Sequence, residues 1–333
     1  MGIKNLFKLI KKHAPNSIKY KNIDDFSNKY IVLDANMIIY QYVIAIRNTG
    51  KDLTNDNGKI TSHILGIISK SLMLLKNNIM PIYIFDGCPP DFKSNTLKKR
   101  KKLKEKNQLR LNECKDEKDK VKYFKRSFTL KSEQIEEVKE ILKLLGIPII
   151  TSKTEADPLC AELVKNGIAY GVSSEDMDIL TFGSPILIRK LKNGKKNSII
   201  EINLDQILKD FKMSMDQFIE LCILLGCDYL PTIKKVGLIK AYNIIKEYDS
   251  IENFINTDPK IKSGYYKIPD DYDYKKIKKF FKNPPINNIK KTIFTRKYYN
   301  KFLQIMIQKY NFKGIQVNKF INLFKKYYKK LDL

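Results

Sequence analysis

Apolar positions follow two rhythms along this chain, and the alternation of the two sets the expected fold. In KYIVLDANMIIYQYVIAIR a short apolar run at 30–34 reads as a buried strand, and the residues after it read as a helix. SHILGIISKSLMLLKNN (62–78) has helical spacing, and MPIYIFDG (80–87) is a strand closed by Gly87. SEQIEEVKEILKLLG (132–146) reads as a helix from a capping Ser132 to a terminal glycine. IPIIT then predicts a strand, EADPLCAELVKNG a helix and IAYGVSS another strand. Strands alternating with helices predict an α/β fold with a central, mostly parallel sheet flanked by helices.

Two stretches break that rhythm. No glycine or proline occurs between Asp91 and Leu145, yet residues 91–131 have too few apolar side chains to pack a helix on both sides. Exposed helices, ordered on a partner, are the expectation there, the alternative being a disordered charged insert. Residues 221–248, LCILLGCDYLPTIKKVGLIKAYNIIKEY, predict helix, glycine-containing turn, helix. The tail after 260 predicts helices near 297–309 and 313–330.

Composition narrows the chemistry. No run of 18 or more apolar residues exists, so no transmembrane helix is expected. The N-terminus lacks the apolar core of a secretory signal, and Leu6 stands where a myristoylation pattern needs Ser or Thr. An intracellular location is the expectation. Five scattered cysteines without a Cys-x-x-Cys pair, and only two histidines, argue against a disulfide framework or structural zinc. Any bound metal must therefore take oxygen ligands, which points to magnesium or manganese.

The formal net charge of +27 is unevenly spread. Residues 91–131 carry +10 and residues 260–333 carry +16, while 132–259 carry −5. A polyanion such as nucleic acid is the natural partner of the two basic segments, the alternative being a Lys-, Asn- and Ile-rich usage set by nucleotide bias in the genome. The acidic region holds SSEDMDILTFGSP (173–185), with Glu175, Asp176 and Asp178 within four positions.

In parallel α/β sheets, ligands bind outside the carboxyl ends of the strands. IVLD ends in Asp34, IYIFD ends in Asp86, and YGVSSEDMD runs into Asp176 and Asp178. TEADPLC adds Glu155 and Asp157 from a first helical turn, and LLGCDYL adds Asp228. Converging carboxylates raise one another's pKa unless a cation balances them. Two divalent cations about 3.5–4 Å apart do so, and can hold the attacking and leaving oxygens of a phosphodiester. Taken singly, Asp34 and Asp86 also suit helix or turn caps, and Glu155 and Asp157 suit first-turn acids. Glu175 reads as a solvated neighbour.

These segments resemble the flap endonuclease (XPG) family of structure-specific 5′ nucleases. MGIKNLFKLI, LDANMIIYQYVIAIR, TSHILG, YIFDGCPPDFKS, EDMDILTFGSP and LCILLGCDY are similar to that family's segments, in order and at fitting spacings, over about residues 1–255. The resemblance implies a PIN-like 5′-nuclease fold with two Mg2+ per active site, Mn2+ being able to substitute. Asp34, Asp86, Glu155, Asp157, Asp176, Asp178 and Asp228 are the implied ligands, Asp176 being also catalytic. It implies that residues 91–131 form an arch threaded by a single-stranded 5′ flap, with Lys93 and Arg100 steering the scissile phosphate. Tyr40 matches a residue stacking on a base near the cut; Arg47 and Thr61 match positions near the bound 3′ end of the upstream strand. The 221–248 stretch looks like a helix–two-turn–helix that grips duplex backbone, often with K+, through Lys235, Gly237 and Lys240.

Three departures qualify this. Asp157 stands where the family has Glu, Lys235 and Gly237 replace paired glycines, and Leu238 replaces a proline. Lys235 is expected to contact a phosphate itself. The family's tail motif for docking on a sliding clamp is not visible.

The resemblance divides the chain into a nuclease region 1–107 with its insert, a region 132–220 completing the same core, a helix–two-turn–helix at 221–257 and a basic helical region 258–333. The expected activity is hydrolysis of one DNA strand at a 5′ flap or junction, with 5′-3′ exonuclease activity beside it, in replication and repair, by a monomer without membrane attachment. The nucleus, or a cytoplasmic replication site for a viral protein, is the expected location. The rival reading from another class is a non-catalytic DNA-binding scaffold on the same fold.

Overall fold

The apolar runs become strands close to their expected bounds. The computed structural model describes residues 2–194, 196–287 and 296–331. Its seven described strands are β1 (Ile18–Lys21), β2 (Lys29–Asp34), β3 (Ile79–Phe85), β4 (Ile149–Thr151), β5 (Gly171–Ser173), β6 (Ile186–Arg189) and β7 (Ile199–Asn203). The chain divides into two compact units, each assembled from three separated stretches. The first comprises Met1–Asn22, Gly87–Thr96 and Ser152–Asn288, and the second Ile23–Asp86, Leu97–Thr151 and Ile289–Leu333.

In the second unit the strands run β2-β3-β4, all parallel. Every residue of β3 is buried, as a strand covered on both faces requires. The helices Ala35–Arg47 and Ser62–Lys76 pack on each other, and the latter also meets Ser132–Leu144 and Gly314–Lys330. Gly66 permits the first of these approaches: a Cβ there would lie 2.6 Å from Cβ of Tyr42. The tail helices Tyr299–Gln308 and Gly314–Lys330 fall where the apolar spacing places them.

The basic insert is helical and exposed, as its composition predicts. Ser94–Glu113 buries only Asn107, and Glu117–Arg126 buries no residue. Without an apolar face Ser94–Glu113 gains little from packing, so propensity and charge patterning carry it, whereas Glu117–Arg126 lies half-buried against Ala35–Arg47.

In the first unit the strand order is β1-β7-β6-β5. β5 and β6 are parallel, but β6–β7 and β1–β7 are antiparallel, so this unit is mixed while the described pairings of the second unit are all parallel. The reason lies in β1 and β7, which the hydrophobic pattern did not single out. The helix Met215–Leu225 is buried nearly all round and packs on Leu238–Tyr248 and Tyr274–Lys282. Gly226 ends it at φ 104°, a conformation that favours glycine.

One capping expectation fails. Ser132 is the first helical residue, and the N-cap is Lys131, whose N–H donates to Gln134 Oε1 at 3.1 Å. The Gln134 side chain thus reaches back to the N-cap amide, the half of a capping box that needs no serine.

Candidate active site

The first unit gathers a buried acidic group around one lysine. Glu155 is the N-cap residue of the helix Ala156–Lys165 and Asp157 lies in its first turn. Asp176 and Asp178 follow β5 directly, 8% and 2% exposed. Ser174 Oγ accepts the Asp176 N–H at 3.0 Å, and Asp176 Oδ1 accepts the Asp178 N–H at 3.0 Å. That tight turn fixes both carboxylates where the strand ends.

Lys93 enters this group, 8% exposed, and forms an ion pair with Glu155. Its Nζ lies 3.8 Å from Asp228 and 5.4 Å from the centre of the Tyr229 ring. Tyr229 donates its hydroxyl to the other Glu155 oxygen at 2.8 Å. The Tyr229 ring is held by Phe92, Phe280 and Phe281, with centroids 5.4–5.5 Å away. Thr96 donates to the Asp228 carbonyl at 2.6 Å, tying the start of the basic helix to the loop that carries Asp228.

The electrostatics are unbalanced. Burial, with Asp176 and Asp228 nearby, holds the Asp178 carboxyl well above the usual carboxylate range. Burial raises Asp176 as well. For Lys93 burial opposes the charge, but Glu155 outweighs it and the pKa is raised. One lysine does not neutralise five neighbouring acids.

Those residues fit a hard divalent cation in donor chemistry. All are oxygen ligands, and Asp178 Oδ1 is buried with no hydrogen-bond partner among the described residues. Gly2, at φ 70°, packs so closely that a Cβ would overlap Oδ1 of both Asp176 and Asp178. Among the described residues, no three His, Cys, Asp or Glu side chains are grouped tightly enough to hold an ion as they stand. Lys93 and Tyr229 each engage one oxygen of Glu155, and each oxygen keeps a second lone pair for an ion.

In the second unit, β2 and β3 are parallel with Asp34 opposite Ile84, so Asp34 and Asp86 emerge at one edge. Asp34 is also a helix cap, accepting the Met37 N–H at 3.0 Å. Asp86 accepts from Asn36 Nδ2 at 2.8 Å. Tyr40 lies 5.6 Å from Phe128, centroid to centroid, with Lys104 Nζ 6.0 Å from its ring. Arg100 is exposed on the basic helix.

Arg47 and Thr61 are closed in. Arg47 donates Nε and Nη2 to the two Asp52 carboxylate oxygens at 2.8 and 2.7 Å, and Nη1 to the Phe124 carbonyl at 2.9 Å. Its guanidinium lies 4.1 Å from the Phe124 ring and 4.6 Å from Phe128. Thr61 is 2% exposed. Neither faces solvent in this conformation.

Glu175 is not a solvated bystander. It accepts from Arg189 Nη2 at 2.9 Å and from the Lys190 N–H at 2.7 Å, which directs it away from metal duty. At the turn before Leu238–Tyr248, the left-handed residue is Lys235 (φ 69°), while Gly237 is extended and caps the helix. Lys240 lies in the first turn of that helix. Sequence reading missed Tyr229 and Thr96. The only signal for Tyr229 was its place directly after Asp228 in LLGCDYL.

Two family models match the chain, the XPG N-terminal domain over residues 1–107 and the XPG I-region over 146–228. Flap endonuclease 1 of Brugia malayi is 42% identical over 293 residues, which is 86% of this chain and 77% of that protein. The solved structure of flap endonuclease-1 from Methanococcus jannaschii aligns at a TM-score of 0.70 and 26% identity, covering 94% of this chain and 96% of its own. The catalytic core of Rad2 in complex with DNA substrate aligns at a TM-score of 0.72 and 21% identity, covering 97% and 100%, and shares the fold. With nearly the whole chain accounted for in this way, it belongs to the XPG family, among the flap endonucleases.

Proposed function

We propose that this protein hydrolyses one strand of DNA at a single-strand/double-strand junction, releasing a 5′ flap, with divalent cations at its acidic site. The observation that carries the reading is the buried pair Asp176 and Asp178 with Lys93 and half-buried Asp228 beside them, in a chain of formal net charge +27. A fold that buries mutually repelling acids gives up stability for a cation-binding capacity, and the basic surfaces supply affinity for the polyanion.

Glu155, Asp157, Asp176, Asp178 and Asp228 would hold the cations, with Asp34 and Asp86 assigned the same role by the family resemblance. When bound, Mg2+ would neutralise charge on the phosphate and activate the attacking water. The remaining work belongs to the chain. Lys93, oriented by Glu155 and by the Tyr229 ring, offers a cation to phosphate oxygens as they gain charge. Arg100 adds a second cation from the basic helix, and Tyr40 offers a ring on which a base can stack. The lysine-rich helices, Ser94–Glu113 exposed and Glu117–Arg126 half-buried, suit a single strand tracked by its backbone.

The test is cleavage of end-labelled DNA carrying a 5′ flap, with magnesium, with manganese, with EDTA, and with the Asp176→Ala variant. Cutting at the flap base that needs both a divalent cation and Asp176 supports the reading. Tight binding without cutting in either metal would overturn it in favour of a scaffold.

A further inference from the structure

We propose that Phe280 is a positioning residue for the nuclease site: through Phe92 it seats the start of the basic insert so that Lys93 lies between Glu155 and Asp228. This deepens the nuclease reading and rests on it for the reaction that Lys93 serves. Phe280 is 7% exposed in the helix Tyr274–Lys282, whose sequence YKKIKKFFK stands out for its lysines rather than its rings. Its ring lies 4.9 Å from Phe92, 5.4 Å from Tyr229 and 5.6 Å from Phe182, centroid to centroid.

Each of those three rings belongs to a segment that carries a site residue. Phe92 precedes Lys93, Tyr229 follows Asp228, and Phe182 ends the short helix that Asp178 opens. One side chain from outside the acidic group therefore touches all three segments. Phe92 and Tyr229 also lie 5.5 Å apart, so they close a triangle with Phe280, and every pair in it meets at 71–86°. Edge-to-face pairs prefer one geometry over its neighbours, so the triangle fixes angles as well as spacing.

The acids alone hold Lys93 less firmly. Its ion pair with Glu155 weakens whenever that carboxylate serves another cation, whereas an apolar seat is indifferent to what the site holds. Two polar contacts reinforce the seat. Thr96 donates to the Asp228 carbonyl at 2.6 Å, and exposed Lys276, one turn before Phe280, places Nζ 5.7 Å from the centre of the Phe92 ring. Phe281 is the internal control. It is 1% exposed and its ring meets Tyr229 at 5.4 Å and Phe182 at 4.9 Å, but among the described residues it makes no ring contact with Phe92. Truncating it empties the same core without freeing the start of the insert.

The experiment compares Phe280→Ala, Phe92→Ala and Phe281→Ala in the full chain, each also combined with Lys93→Ala. Single-turnover cleavage of end-labelled 5′-flap DNA is read at saturating enzyme with magnesium, beside flap affinity in EDTA and melting temperature. Phe280→Ala and Phe92→Ala should slow cleavage by roughly 10- to 100-fold with affinity little changed, since a misplaced group costs rate rather than binding. Phe281→Ala should slow it by less than about 3-fold while lowering the melting temperature as much as Phe280→Ala does. On the Lys93→Ala background Phe280→Ala should cost less than about 2-fold, because nothing is left for it to position. Phe92 is half-buried, so Phe92→Ala breaks the same contact if Phe280→Ala does not fold.

A second measurement needs no cleavage. The chain has no tryptophan, so Phe92→Trp gives a lone fluorophore at the seat. Adding Phe280→Ala should shift its emission to the red and raise its quenching by acrylamide, and adding Phe281→Ala should do neither.

Equal slowing by Phe280→Ala and Phe281→Ala would overturn the proposal. So would the wild-type rate in both Phe280→Ala and Phe92→Ala, or the full loss recurring on the Lys93→Ala background. Failure of the nuclease reading is separable: a wild type that cuts no flap in any divalent cation removes that reading, while the fluorescence difference still decides whether Phe280 seats the insert.

Discussion

Tyr229 donates its hydroxyl to Glu155 Oε2 at 2.8 Å while Lys93 pairs with Glu155 Oε1, so one carboxylate orients both an ammonium and a phenol. The tyrosine is fixed by Phe92, Phe280 and Phe281, not by the acids it serves. Tyr229→Phe keeps the aromatic packing and removes one hydrogen bond to a charged group, worth about 1.5–3 kcal/mol. Single-turnover cleavage at saturating enzyme should slow by roughly 10- to 100-fold, with a fall in melting temperature of only a few degrees. Equal loss of melting temperature would instead mark Tyr229 as a packing residue only.

Asp178 opposes the stability of the fold in the absence of metal. Its folded pKa lies well above its usual value, because burial and the acids Asp176 and Asp228 disfavour the carboxylate. The folded state therefore binds this proton more readily than the unfolded chain, and the contribution of Asp178 to stability falls as pH rises above about 3.9. Asp178→Asn in EDTA at neutral pH should raise stability by roughly 0.5–2 kcal/mol while abolishing cleavage. Magnesium should raise the melting temperature of wild type more than that of the variant. A variant that melts lower than wild type in EDTA would contradict this account.

Arg47 pins the basic insert to the helix that carries it. Its side chain and that of Asp52 are each 11% exposed, and Nη1 reaches the Phe124 carbonyl within Glu117–Arg126. Arg47→Met leaves Asp52 buried without its counter-charge, which costs roughly 3–5 kcal/mol. Limited proteolysis within residues 114–126 should accelerate, and Asp52→Leu added to Arg47→Met should restore part of the lost stability. Proteolysis at the wild-type rate would show that the pair does not hold the insert.

What the sequence made legible follows the range of the signal. β2 and β3 are continuous apolar runs, and Asp34 and Asp86 follow from where those runs stop. The exposed insert was readable from its missing apolar face. Asp34 as a helix cap was weighed too, and the cap and the edge position coexist. β1 escaped because IKYK reads as solvated, and its partner β7 lies nearly 180 residues away in sequence. The Glu175–Arg189 pair and the Lys235–Tyr265 contact join residues 14 and 30 positions apart, where neither helical nor strand periodicity carries information. Arg47 was read by resemblance alone, and only packing shows how fully Asp52 and Phe124 occupy it.

The last relationship sets a pH limit on the second unit. His63 is 1% exposed, its Nε2 lies 2.8 Å from Glu137 Oε2, and Lys59 donates to Glu137 Oε1 at 2.6 Å. Burial holds His63 below its ordinary value of 6.5 despite Glu137. The neutral ring then donates from Nε2, and buried Nδ1 has no hydrogen-bond partner among the described residues. As pH falls through about 6.5, the unfolded chain takes up a proton that the folded state refuses, so stability declines until the folded pKa is reached. The slope from this residue is at most about 1.4 kcal/mol per pH unit. Glu137 acts in a lower window. Burial opposes its charge, but Lys59 and His63 hold its pKa below 4.5, so its contribution is present above that value and lost as pH falls through the folded pKa. Urea unfolding at pH 7.5 and 5.5 should therefore show wild type losing roughly 1 kcal/mol more than His63→Gln over that interval. Identical losses in the two proteins would mean that His63 takes up its proton in the folded state, and that the Glu137 pair, rather than burial, governs the ring.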